Sequence, residues 1–476
     1  MEVLYNKMIE NSDLQKITTI MKKDRNKKEI NESTKQAFTI FYNHYVTFNF
    51  GQDDHFYSTD ILASFDNYLE YITYLIPLFH MLGDTLGYKN GEWEFNLGTN
   101  PKEVTAAFTS ELIFQFISLG GINDINLRNW KYSDDSILYL ATLETAAAHQ
   151  SSINDFGTAL REKYISLIDD LSDRHPGITT MESLKMLRDG IPWNGINYNS
   201  MAIGSGTSMR TGGLGIIFCG ERNRFKLMSA SIEASRITHN SAVAMLGGLT
   251  SALFTAFAIE NIAINLWPHY LVEYLREDKI DNYLKNSRPK EYPNYQRDKI
   301  IFLGKWEKYI TLRFNGRDKK TDQKFISNPI SRIQFLADKF SRTDQNFFPG
   351  ACADDSVIIA YDALLECDGS LEKVVVNSIL HPGDSDTVGC IALGWFIGYY
   401  FSLKNSSIAH RMIVELEKYD YWNRVIRSIM KDNLPKIRNE MLIDTLLFNG
   451  EASSELYPFN IWDDTQKEDV TDIEQS

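Results

Sequence analysis

From about residue 71 to about residue 431, apolar residues recur three and four positions apart, the spacing that lines one face of an α-helix. The pattern is strongest in VTAAFTSELIFQFISL, SILYLATLETAAAHQ, SAVAMLGGLTSALFTAFAIENI and VGCIALGWFIGYYFSL. Alternation of the kind a half-buried strand needs is scarce, so an all-α fold is expected. Alanine and glycine within these segments let helices approach closely, which predicts a bundle packed around a common centre. One helical domain over 71–448 follows, preceded by an N-terminal extension, 1–70, and followed by an acidic C-terminal tail, 449–476. Residues 278–325, rich in charge, Asn and Tyr, are expected to form a surface insertion or a shorter helical excursion.

Composition narrows the function. A formal net charge of −14 repels a phosphate backbone, so no nucleic-acid partner is expected. Four cysteines in 476 residues, with no CxxC spacing, fit a reducing compartment and exclude a disulfide framework. The opening MEVLYNKMIE carries charge where a secretory signal needs an apolar stretch, and the longest apolar run, Val243 to Ile259, contains glycines and hydroxyls. That run falls short of the roughly 20 apolar residues of a membrane span. A cytoplasmic monomer that does not engage membranes is expected.

Chemistry-bearing residues gather at two predicted helix starts. Adjacent aspartates occur five times, and such a pair by itself reads as a helix cap or a solvated face. The pair Asp134 and Asp135 follows Ser133 and directly precedes an apolar helix. The chain's one Asp-x-Asp, Asp384 and Asp386, is followed by Thr387 and also opens onto a helix of small and apolar residues. Carboxylates and hydroxyls on two rigid helix starts are the oxygen donors that Mg²⁺ or Mn²⁺ requires. If the starts meet in space, their mutual repulsion calls for a cation.

Between them lies Gly204-Ser205-Gly206-Thr207-Ser208-Met209-Arg210, the start of a glycine-rich run to Gly215. It lacks the ending of a P-loop and the flanking strand of a dinucleotide fingerprint, so it reads as a loop able to turn N–H groups toward an anion. Upstream, Asp84 sits between Gly83 and Gly87 at a predicted helix end, where a structural role is the commoner one.

Taken in order, these elements resemble the ADP-ribosylglycohydrolase family, and within it the ADP-ribosylarginine hydrolase branch. The resemblance rests on residues 83–95 (GDTLGYKNGEWEF), Leu119-Gly120-Gly121 through Trp130 to Ser133-Asp134-Asp135, the glycine loop, Ser235 to His239, Ile359 to Ala363, and Gly383 to Thr387. It implies an orthogonal all-α bundle with two Mg²⁺ ions, Mn²⁺ being an alternative, held by Ser133, Asp134, Asp135, Asp384, Asp386 and Thr387. It further implies a hydrolase that cleaves the N-glycosidic bond between ADP-ribose and arginine of modified proteins, with Asp134 or Asp135 relaying a proton. Gly204, Ser205, Gly206, Thr207, Ser208 and Met209 would hold the diphosphate, His239 would serve the same region, and Phe348 would lie near the adenine. Asp354 and Asp355 fall where the branch recognises the leaving side.

Three departures bear on that reading. Thr207 and Ser208 replace two alanines, adding hydroxyls that either bond phosphate or narrow the loop. Asp354 stands where the branch commonly has histidine, a carboxylate that could pair with the substrate guanidinium. The first 70 residues have no counterpart in the family core. Two alternatives stay open: the same centre acting on ADP-ribosylserine or O-acetyl-ADP-ribose, and a non-catalytic ADP-ribose-binding pseudoenzyme.

Overall fold

The computed structural model describes residues 68–95, 106–314, 328–401 and 403–448. Nearly all of the proposed extension and the whole acidic tail lie outside the described residues. Ten helices position the site: α1 Tyr68–Tyr88, α2 Asp134–Ala148, α3 Ser208–Ile217, α4 Arg224–Arg236, α5 Ala242–Ile259, α6 Tyr292–Arg313, α7 Pro329–Phe340, α8 Ala353–Leu365, α9 Ser385–Tyr399 and α10 Tyr419–Phe448. No strand occurs among the described residues; one isolated antiparallel bridge joins Gly204 to Cys352. The fold is all-α, as the periodicity predicts.

Helix α5 is the axis of the bundle. It is long and apolar enough to cross a membrane, yet every residue of it is buried inside the protein. Helices α3, α4, α6, α8 and α9 pack around it. Phe254 of α5 anchors an aromatic cluster, its ring centroid 5.6 Å from Trp306 of α6, 5.6 Å from Tyr361 of α8 and 5.3 Å from Trp395 of α9. Such rings bury large apolar areas and prefer tilted or edge contacts over flat stacking. All four cysteines are buried, and none of them forms a disulfide.

The charged segment 278–325 is more deeply integrated than its composition suggests. Helix α6 turns a stripe of Phe302, Trp306, Tyr309 and Arg313 into the core, at the 4-3-4 spacing of one helical face. Charges on its outer face hide that stripe from a compositional reading. Residues 315–325 lie outside the described residues.

Behind this stripe, Asp362 of α8 binds three elements together. It accepts hydrogen bonds from Tyr309 Oη (2.7 Å), Arg313 Nε (2.7 Å) and Arg332 Nε of α7 (2.6 Å). Burial alone would raise its pKa, but the two guanidinium groups and the phenol outweigh it and hold the carboxyl below its usual range.

Helices α1 and α9 pack along a glycine contact. A Cβ on Gly83 would strike the carbonyl of Gly389, and one on Gly87 would strike the backbone of Ser385 and Asp386. Bare backbone at these crossings draws the C-terminal end of α1 onto the first turn of α9. That approach brings the two acidic helix starts together.

Candidate metal centre and glycine loop

The start of α2 is built around Asp84 of α1. Its carboxylate accepts the N–H groups of Ser133 (2.8 Å) and Ser136 (2.9 Å). Ser133 is the N-cap residue, its Oγ accepting from Asp135 N at 3.1 Å. This leaves the Asp134 and Asp135 side chains at the positive end of the helix dipole. At α9 the same device repeats, with Asp384 as N-cap accepting from Thr387 N at 3.3 Å.

The two starts meet. Thr387 Oγ1 donates to Asp135 Oδ2 at 3.0 Å, and Ser205 Oγ of the glycine loop donates to Asp384 Oδ2 at 2.8 Å. A further acid joins them: carboxylate oxygens of Glu94, Asp384 and Asp386 lie within 4.8 Å of one another. Sequence reasoning missed Glu94, although it lies inside the GDTLGYKNGEWEF motif. Neighbouring contacts deliver it, since Trp93 is buried with its indole N–H on Gln115 Oε1 (2.9 Å), while Phe95 N donates to Gly383 O (3.0 Å) beside Asp384.

Charge is unbalanced here. Burial first, and then mutual repulsion, pushes Asp134, Asp135 and Asp386 well above the ordinary carboxylate range. Glu94 is pushed up to about 9 by burial and by Asp384, Asp134 and Asp84. Asp84 and Asp384 are raised by burial as well, although hydrogen bonds oppose the rise. Among the described residues no lysine or arginine forms an ion pair with any of these acids, and Glu94 Oε2 has no hydrogen-bond partner. An oxygen-only donor set with uncompensated negative charge fits a hard divalent cation. It is unsuited to thiolate-preferring metals.

The glycine loop forms the next wall. Residues Ser205–Thr207 make a 3-10 turn that runs directly into α3, and Ser205 Oγ ties that helix start to Asp384 of the cluster. Ser205 N donates to Ala351 O and Ala353 N to Ile203 O, tying the loop to the start of α8. Arg210, fully buried, donates to Gly206 O and to Thr238 Oγ1 and so holds the loop from behind. His239 packs against Gly204 and Gly206, with Nδ1 bonded to Thr238 Oγ1 at 2.8 Å. Burial and the nearby Arg210 lower its pKa to about 3, so this imidazole is neutral.

Several residues expected at the ligand have internal duties. Thr207 Oγ1 donates to Ala244 O (2.8 Å), while Ser208 Oγ bonds Ser205 O (2.9 Å) and Ser356 Oγ (2.8 Å). Both hydroxyls are engaged in bracing the loop. The Met209 side chain belongs to the hydrophobic core. Asp354, expected to meet a substrate guanidinium, is 0% exposed and already paired with Arg342 Nη2 (2.6 Å) and Lys305 Nζ (2.9 Å). Asp355 accepts from Cys352 N (3.1 Å) and Gly350 N (3.2 Å), shaping the turn before α8; burial raises its pKa to about 6. Cys352, Asp354 and Asp355 also form a compact group, but Lys305 and Arg342 already supply its positive charge. Phe348 lies at the rim, its ring 5.4 Å from that of Phe95, next in chain to Glu94.

The ADP-ribosylglycohydrolase family model matches residues 80–436. A putative ADP-ribosyl glycohydrolase of Acanthamoeba polyphaga mimivirus is 49% identical over 356 residues, covering 74% of this chain and 68% of that protein. ADP-ribosylhydrolase ARH1 of Dictyostelium discoideum is 31% identical over 344 residues, covering 68% of this chain and 85% of its own length. A solved ADP-ribosylglycohydrolase-related protein complex superposes with a TM-score of 0.45 at 15% identity, covering 76% of this chain and 99% of that one. On the extent of the family match and the identity to these relatives, the chain belongs to the ADP-ribosylglycohydrolase family.

Proposed function

We propose that this protein is a divalent-cation-dependent hydrolase that releases ADP-ribose from arginine side chains of modified proteins. The observation that carries the reading is the convergence of Glu94, Asp135, Asp384 and Asp386 without a lysine or arginine ion-pair partner among the described residues, next to a glycine-lined helix start suited to a diphosphate. Ser133, Asp134, Asp135, Glu94, Asp384, Asp386 and Thr387 would hold two Mg²⁺ or Mn²⁺ ions. Bound there, the cations supply the positive charge that lowers a water's pKa and seats the ribose hydroxyls.

The chain's own groups do the rest. Backbone donors at Gly206 and Thr207 bind the diphosphate and fix the ribose against the carboxylates. Phe348 and Phe95 offer an aromatic face to the adenine at the rim. Asp134, Asp135 or Glu94, within the same buried pocket, accepts the proton of the attacking water and returns one to the leaving nitrogen. The bond that breaks joins ribose C1 to a guanidinium nitrogen, through a transition state of oxocarbenium character. The acidic wall attracts a cationic leaving group, which favours arginine over a neutral linkage, and Asp354 takes no part in that preference.

The test measures free ADP-ribose released from arginine-linked and serine-linked proteins, each with and without Mg²⁺. Arginine release should be at least about tenfold faster, equivalent to about 1.4 kcal/mol in the transition state. A serine preference would retain the hydrolase and overturn the linkage.

A further inference from the structure

The stretch from Arg174 to Thr180 carries no motif, yet it touches both halves of the site. Arg174 O accepts from Asp134 N at 3.3 Å, and its guanidinium bonds Tyr132 O (2.7 Å) and both carboxylate oxygens of Glu417 (2.8 Å each). Thr180, six residues on, packs against Gly206 of the glycine loop. Arg174 is thus riveted to the start of α2, and the chain leaves it through His175 in an unusual conformation.

The backbone of His175 is left-handed, with φ 54°. Three other non-glycine residues in that region, Lys89 (φ 42°), Asn90 (φ 56°) and Phe95 (φ 47°), lie on the loop that presents Glu94. Side chains rarely adopt this conformation unless the surroundings require it. The His175 ring is wedged against Gly91, where any Cβ would sit 2.5 Å from its Cε1, and meets the Tyr88 ring edge-on at 5.4 Å. Its Nδ1 lies 3.5 Å from Glu94 Oε2, an oxygen that has no hydrogen-bond partner. That separation is close enough for the groups to hold each other, yet too long to satisfy the oxygen. The Glu94 side chain is 8% exposed and that of His175 60%, so the imidazole stands between the acid and solvent at the mouth of the cluster.

We propose that His175 is a positioning residue for Glu94, its imidazole keeping the Glu94 carboxylate turned toward Asp384 and Asp386. The role rests on the reading of the cluster as a divalent-cation hydrolase centre. Through Glu94, His175 sets the cation affinity and the rate of the chemical step, while the diphosphate, held by the glycine loop, is bound without it.

The decisive variant is His175→Gly, because glycine occupies φ 54° without steric cost and removes only the ring. Mn²⁺ binding is measured by electron paramagnetic resonance, and kcat and KM by ADP-ribose release from an arginine-linked protein. Loss of the ring should weaken Mn²⁺ binding and lower kcat by about tenfold each, with KM changed less than about twofold. His175→Asn, which tolerates the same backbone and restores a side-chain donor, should recover most of both losses. In a Glu94→Gln background, His175→Gly should cost less than about twofold further. Wild-type values in His175→Gly, or an undiminished loss in the Glu94→Gln background, would overturn the proposal. If the wild-type protein releases no ADP-ribose, the hydrolase reading fails and Mn²⁺ affinity alone decides: weakening with rescue by Asn supports the positioning role, and an unchanged constant overturns it.

Discussion

Asp386 shows how burial turns an ordinary residue into a chemical one. Its carboxyl is raised well above the usual range by desolvation, then by Glu94, Asp135 and Asp384. Asp386→Asn keeps the shape and removes a repelled charge, so the fold should survive while kcat falls by about a hundredfold or more. Asp169→Asn, at an exposed position in the short helix Ile168–Leu171, should leave kcat unchanged. Steady-state rates with circular dichroism check both, and equal losses would mark Asp386 as merely structural. At this scale the sequence was only partly legible. A hydroxyl at Thr207 or Ser208 looks available for phosphate until its partners, Ala244 O and Ser356 Oγ, are seen. Glu94 was hidden because it caps no helix and pairs with no neighbouring aspartate, so only its place beside the buried Trp93 in the motif could have flagged it.

At the scale of elements, α6, α7 and α8 are joined by the Asp362 clamp. Asp362→Asn leaves the buried Arg332 without its counter-charge and Arg313 with Glu366 alone, and should cost about 3–5 kcal/mol. A carboxyl held below its unfolded pKa stabilises the protein above that value, about 3.9, and loses the contribution as pH falls through the folded pKa. The stability gap between wild type and Asp362→Asn should therefore be constant at higher pH and narrow only below about pH 4. Urea unfolding across that range reads it, and a gap that persists unchanged into strong acid would exclude the clamp as its source. Helices α2, α5 and α9 were plain in the sequence because each is a long run dominated by apolar and small residues. Helix α6 was not, because its inward stripe is diluted by charges that face solvent.

For the whole molecule, the carboxylate cluster couples folding to cation and pH. Groups whose folded pKa is raised contribute stability that is complete below their unfolded pKa and lost as pH rises through the folded value. For Glu94 that window runs from about 4.3 unfolded to about 9. Cation-free protein should therefore melt at progressively lower temperature as pH rises across it. Excess Mg²⁺ or Mn²⁺ should remove that decline, because the cation compensates the charges that burial disfavours. Melting curves at several pH values with EDTA or with Mg²⁺ test this. Identical curves at every pH would leave the aspartates as helix caps.

The sequence by itself determined most of the helices, the two acidic starts and the glycine-rich run between them, which read as a loop although Ser208–Ile217 of it folds as helix α3. Each depends on interactions within a few residues, namely apolar spacing, capping side chains and bare glycine backbone. It also carried the family resemblance, because the motifs keep their order along the chain. Only the tertiary structure decided that Thr387 would reach Asp135 across 252 positions, that Glu94 would complete the cluster, and that Asp354 would be consumed by Lys305 and Arg342. The meeting of the two acidic starts depends on Gly83 and Gly87 letting α1 close onto α9, and contact between distant backbones is set by the packing of the whole core.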